Sequence, residues 1–153
     1  MLKNLEKLEE KKDNQWYEFY KKRVNSTYQD YFDERYKPML DIIKGENPFG
    51  IREEGIGIGS VSKSIINSSM DSLDCFGFDN NTEMIKLCKE NNPTIDVFRD
   101  SILNPTSIWH NHHAKPDIVV THGVLEHFSD KFIELILKRY QKERVKNIHY
   151  VPT

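Results

Sequence analysis

Cysteine is nearly absent from this 153-residue chain. Cys75 and Cys88 are too few for a disulfide framework, and they read as small buried hydrophobes in a reducing compartment. No apolar run approaches the roughly 20 residues that cross a bilayer. Neither charge sign dominates: 22 Lys and Arg against 24 Asp and Glu leave a net charge of −2, which argues against general binding of nucleic acid through phosphate contacts. The opening residues MLKNLEKLEEKKDNQ carry neither the apolar stretch nor the cleavage site of a secretory leader, so a cytoplasmic location is the default expectation. Glycine is scarce too, seven in all, yet Gly55, Gly57 and Gly59 stand within five residues.

The chain divides into two parts of different character. Residues 1–45 look helical throughout, and an N-terminal helical extension packing on a core is expected there. Trp16, Phe19, Tyr20 and Val24, then Tyr28, Tyr31 and Phe32, recur at three- and four-residue spacing, the period of an amphipathic helix. This aromatic stripe suits a packing face better than a lid. Lys37-Pro38 can open a further short helix with Gly45 as its stop, and residues 3–12 suit a solvated, partly frayed segment.

From residue 46 to 153 the text alternates between strand and helix. Strands are expected at 50–54, 72–78, 95–99, 117–121 and 147–151, and helices at 60–68, 82–91 and 130–143. The stretch 102–115 is poorly patterned. Such alternation implies right-handed βαβ units in a doubly wound, mostly parallel sheet covered on both faces. Ile118-Val119-Val120 is the continuous apolar run of a strand buried on both sides. Asn80 or Thr82 can cap the helix that opens at Thr82. In such a fold ligands bind at the carboxyl ends of the strands, where the strand order reverses.

The motifs fall on those ends. Glu53-Glu54-Gly55-Ile56-Gly57-Ile58-Gly59 is a loop through which backbone can approach a ligand, since glycine removes the colliding Cβ and tolerates positive φ. Asp79 and Asp100 each follow a short apolar run. Pro116 to Phe128 couples the fourth strand to a Leu125-Glu126-His127-Phe128 segment. A nicotinamide-binding fingerprint wants Gly-x-Gly-x-x-Gly, and here the third glycine comes one residue too early.

In this order and at this spacing, residues 51–130 resemble the class I S-adenosylmethionine-dependent methyltransferases, a Rossmann-like family. The resemblance implies S-adenosyl-L-methionine as cofactor, held by Glu53, Gly55, Gly57, Gly59, Asp79, Asn80, Asp100, Ser101 and Ile102. In that scheme the glycine loop wraps the methionine portion, Asp79 takes the ribose hydroxyls and Asp100 accepts from the adenine amino group. His122 is the first candidate for a general base, because it follows the fourth strand; Glu126 and His127 come second. Glu54 departs from the family, which favours an apolar residue there, although the mouth of the strand tolerates polar variants.

A methyl acceptor is implied as well. The Asn/Asp-Pro-Pro-Tyr-like motif of enzymes that methylate base amines is replaced by His122-Gly123-Val124, so a small molecule is favoured and a protein side chain stays open. His110, His112 and His113 have no cysteine or carboxylate alongside and suit a solvated loop, with no metal expected. Lys21-Lys22-Arg23 and Lys138-Arg139 read as exposed helix faces. The resemblance ends at a fifth strand, without the family's final antiparallel hairpin. Either a minimal version or a truncated or split product is expected, and the alternative to an enzyme is an inactive cofactor-binding fragment or subunit. A bare sheet edge would favour self-association.

Overall fold

A computed structural model describes residues 15–151 apart from Asn25, Ser69 and Asp71. The segment expected to fray, 3–12, lies outside the described residues. Residues 15–21 are helical (α1), followed by α2 (Ser26–Glu46), β1 (Gly50–Glu54), α3 (Ser60–Asn67), β2 (Asp74–Asp79), α4 (Thr82–Asn91) and β3 (Asp96–Arg99). Then come a 3-10 turn (Ile108–Asn111), β4 (Ile118–His122), a second 3-10 turn (Leu125–His127), α5 (Asp130–Glu143) and β5 (Lys146–Tyr150). The five strands form one parallel sheet in the order β3-β2-β1-β4-β5.

The strand order reverses between β1 and β4. Their register pairs Ile51 with Ile118, Arg52 with Val119 and Glu53 with Val120. Residues paired in parallel register share a face, so successive β1 side chains serve two different layers. On one side Ile51, Ile118 and Val120 form a core with α2 and α3, to which α2 contributes Tyr36, Met39 and Ile43. Beside it α4 packs Ile85 and Cys88 against Ile56, Ile95 and Val97. On the other side α5 sets Ile136 and Tyr140 against Val119 and Leu125.

Two local expectations change. α2 runs unbroken through Pro38, where a new helix was expected to begin. Proline in a helix interior forfeits a hydrogen bond and costs about 3 kcal/mol, and the burial of Tyr36, Met39, Leu40 and Ile43 around it offsets that cost. The cap of α4 is Asn81, not Asn80 or Thr82: its side chain accepts from the Glu83 and Met84 N–H groups at 2.9 and 3.1 Å.

The largest correction concerns Glu54 and Arg139. Glu54, the last residue of β1, is fully buried, and Arg139 turns inward from its helix to meet it. Arg139 Nη1 and Nη2 donate to the two Glu54 oxygens at 2.9 and 2.6 Å. Arg52 Nε and the Tyr140 hydroxyl add hydrogen bonds at 3.0 and 2.6 Å. Glu143 closes the network on both guanidinium groups, at 2.7 Å from Arg52 and 3.2 Å from Arg139. A buried carboxylate is tolerable only when satisfied in this way. The Arg52 guanidinium also lies 4.8 Å from the ring centroid of Trp109, so the 3-10 turn in the unpatterned stretch serves as the cover between β3 and β4. Removing one member of a buried ion network costs about 3–5 kcal/mol. Glu54→Leu is therefore expected to lower the urea midpoint by that equivalent while leaving the m-value unchanged.

Candidate functional site

Beyond the carboxyl ends of β1, β2 and β4 lies a cavity of about 220 Å³. It sits at the reversal of strand order, where open α/β sheets bind their ligands. Its base is the glycine loop. The Gly55 and Ile56 N–H groups both donate to the Phe78 carbonyl, at 2.9 and 3.0 Å, which ties the loop to the end of β2. Gly57 and Gly59 have φ of +55° and +75°, both left-handed. They serve different ends. A Cβ on Gly59 would meet Asn92 Nδ2 at 2.5 Å and Cys88 Sγ at 2.8 Å, so this glycine is required where the start of α3 packs against the end of α4, and it does not line the cavity. At Gly57 the nearest atom is Met84 Cε at 3.4 Å, and its backbone is open to the cavity.

Asp79 and Asp100, separated by 21 positions in sequence, line this same cavity together with Asn80 and Ile102; Ser101 does not. Asp79 shapes the loop: its Oδ2 accepts from the Gly57 N–H at 3.0 Å and its Oδ1 from the Asn81 N–H at 2.9 Å. Asp100, buried where Asp79 is only half-buried, anchors the segment after β3. Its Oδ1 accepts from the Ser101 and Thr106 N–H groups at 2.9 and 2.8 Å, and its Oδ2 from Ser107 at 3.0 Å. A carboxylate offers about four acceptor positions, and Asp100 fills three of them here, so it retains capacity for a ligand.

Glu53 is buried at the cavity wall and accepts from the Ser62 N–H at 3.1 Å and from the Ser62 hydroxyl. Burial pushes its carboxyl up to about 8, outweighing those two hydrogen bonds, with Asp79 adding to the rise. The group is thus mostly protonated at neutral pH. Ser60, at the start of α3, lines the cavity with a buried hydroxyl that has no partner among the described residues. Sequence reasoning missed it as a site residue, although its place directly after the glycine loop is a usable signal.

The opposite wall is aromatic. Trp16 and Tyr20 of α1, and Tyr28, Phe32 and Tyr36 of α2, line the cavity, so the helical stripe is a cavity wall as well as a packing face. Trp16 meets the His127 ring edge-on, with centroids 5.2 Å apart, and thereby joins α1 to the turn after β4. His122 lies between these walls. Its ring stands edge-on to Tyr36 at 5.1 Å and stacks on Tyr150 at 6.0 Å. Burial pushes its imidazole down to about 4; Glu126 opposes the shift and His149 adds to it. Its Nε2 is buried and makes no hydrogen bond among the described residues, a state that costs about 1–3 kcal/mol unless a partner arrives.

His127 also lines the cavity, whereas Glu126 and the histidines between β3 and β4 do not. His113 is no solvated loop residue: it bonds Asp74 of β2 at 2.8 Å and Asp96 of β3 at 3.1 Å, and stacks on Phe76 with centroids 4.1 Å apart. His110 stacks on Trp109. Among the described residues no group of His, Cys, Asp and Glu could hold a metal ion, and no helix is long and apolar enough to cross a membrane.

No protein-family model and no curated protein matches this chain in sequence. Solved structures match it in fold. A Pyrococcus horikoshii OT3 protein, PH0226, superposes with a TM-score of 0.68 at 16% identity over 88% of this chain. The methyltransferase domain of bacterial CtHen1 does so with a TM-score of 0.62 at 15% identity over 75%. The plantazolicin methyltransferase BpumL, solved with S-adenosylhomocysteine (SAH), gives 0.58 at 19% identity over 92%. This chain spans 65%, 63% and 51% of those three chains, respectively. With its strand order, its glycine loop after β1 and these neighbours, the chain has the Rossmann-like fold of the class I S-adenosylmethionine-dependent methyltransferases.

Proposed function

We propose that this protein binds S-adenosyl-L-methionine in the cavity and transfers its methyl group to a small molecule. The observation that carries this reading is the convergence of Asp79, Asp100 and the open Gly57 backbone on one cavity at the β1–β4 reversal. In this reading Asp79, with Asn80 beside it, takes the two ribose hydroxyls. Asp100 accepts from the adenine amino group. The Ser101 N–H already donates to Asp100, which leaves the adenine ring-nitrogen role to Ile102. Gly55 and Gly57 give room for the methionine portion, and Gly59 acts indirectly by seating α3.

The cofactor supplies a methyl carbon already activated by a sulfonium. The protein's own task is chiefly positioning, worth up to about 7–11 kcal/mol in favourable systems. His122 is the base of this proposal. It is neutral at physiological pH, as a base must be, and lies on the wall formed by β4. In this reading Glu53 faces the amino-acid end of the cofactor, and its ionised form is favoured when a cationic ammonium approaches.

Calorimetry with SAH tests the reading directly: measurable binding is expected, and none would remove it. Asp79→Asn retains the shape of the side chain but replaces one acceptor with a donor. It is expected to weaken SAH binding by about 10–100-fold, the equivalent of one or two charge-assisted hydrogen bonds, with the thermal unfolding profile checked in parallel. A second prediction concerns the proton on Glu53. A carboxyl raised to about 8 is largely protonated at pH 7, so pairing with the ammonium should release it. Titrations in two buffers of different ionisation enthalpy are expected to report release of up to about one proton per SAH bound. Glu53→Gln should abolish that release.

A further inference from the structure

The two halves of the cavity wall differ in chemistry. Its acids, Glu53, Asp79 and Asp100, belong to the β1–β2–β3 side, whereas its rings, apart from Phe78 of β2, come from the β4 side and the two N-terminal helices. No Lys or Arg lines any part of it among the described residues. A carboxylate or phosphate entering here would lose its hydration and find no cation in return, while meeting acids across the cavity. Trp16, Tyr20, Phe32 and Tyr36 provide flat apolar surface, which favours a planar ligand through offset or edge-on ring contacts. Within that aromatic half the polar atom in want of a partner is His122 Nε2.

We propose that the aromatic half of the cavity is the acceptor site, and that it selects an uncharged aromatic hydroxyl compound whose O–H is directed to His122 Nε2. This rests on the methyl-transfer reading above and names its acceptor. The ring of His122 must turn about its Cβ–Cγ bond to bring the buried nitrogen to the ligand, and catalytic hydrogen bonds commonly tighten only in the complex. In the step itself the hydroxyl oxygen forms the new bond to the methyl carbon. The carbon–sulfur bond breaks with its electron pair retained by sulfur, giving the neutral thioether, and the hydroxyl proton passes to His122 Nε2 and then to water. An imidazole pushed down to about 4 is a weak base. A phenolic hydroxyl, far more acidic than an alkyl one, is the class of alcohol it can serve.

The test uses the full chain and three matched probes: 2-naphthol, 2-naphthoate and 2-naphthylmethylammonium. SAH calorimetry comes first, so that failure of cofactor binding is seen separately. With SAH bound, 2-naphthol is expected to bind at least about tenfold more tightly than the carboxylate. Labelled methyl transfer from S-adenosylmethionine should proceed to 2-naphthol alone. His122→Gln and His122→Asn are each expected to lower that transfer by about 10²-fold or more, while SAH affinity stays within about twofold. Preference for the carboxylate or the ammonium would overturn the acceptor assignment. So would binding of SAH with none of the three probes, which leaves the methyl-transfer reading standing, and so would full transfer in both His122 variants. Absence of SAH binding would remove both.

Discussion

The pairing of β1 with β4 is the constraint on which the rest of the structure depends. Because β2 and β3 extend the sheet to one side of β1, and β4 and β5 extend it to the other, the loops leaving β1 and β4 diverge and open a crevice. The glycine loop leaves β1 at that point and Gly123 leaves β4 beside it, both with positive φ. The loops diverge but remain in contact: a Cβ at Gly55 would lie 2.7 Å from Val124 Cγ2. The crevice therefore exists because of strand order, and its narrowness because a glycine stands where the two loops meet.

Beneath the crevice, β1 carries two polar residues that would each be costly alone. Glu53 points to the α3 layer and is satisfied by Ser62, while Glu54 points to the α5 layer and is satisfied by two arginines and a tyrosine. Period-two alternation sends adjacent carboxyls to opposite faces, so the two do not share an environment. Their roles separate accordingly. Glu54 locks α5 against the sheet through a network that meets the cavity wall at Ile102, whose carbonyl accepts from Arg139 at 3.1 Å, and Glu53 reaches that wall as a carboxyl held largely protonated.

A similar division runs across the cavity. Carboxylates come from the ends of β1, β2 and β3, and rings chiefly from α1, α2 and the β4 side, with Phe78 of β2 beside them. The acidic side suits a ligand with hydroxyls, an amino group and positive charge. The aromatic side suits an apolar, planar one. Helices rich in Trp, Tyr and Phe thus cover core and frame site at once, and one stripe does both because α2 crosses from the sheet face at Ile43 to the cavity at Phe32.

How much of this was legible in advance differs by residue. Gly55, Asp79 and Asp100 could be placed because strand, glycine loop and terminal acid follow each other locally, and local order survives any packing. The existence and type of β1, α4 and α5 followed from the alternation of strand-like and helix-like segments for the same reason. The partnership of Arg139 with Glu54 was illegible, since 85 positions separate them and a Lys-Arg pair on a helix ordinarily faces water. Trp109, His113 and the aromatic cavity wall were hidden likewise: their partners lie on other strands, and no period announces them. The chain's own text therefore determined which elements form and which acids end the strands, because backbone geometry and hydrophobic period act over a few residues. Only tertiary structure decided which buried charges are paired, which glycines open onto the cavity rather than onto a neighbour, and that His122 stands among rings with an unsatisfied nitrogen, because those depend on contacts between segments far apart in sequence.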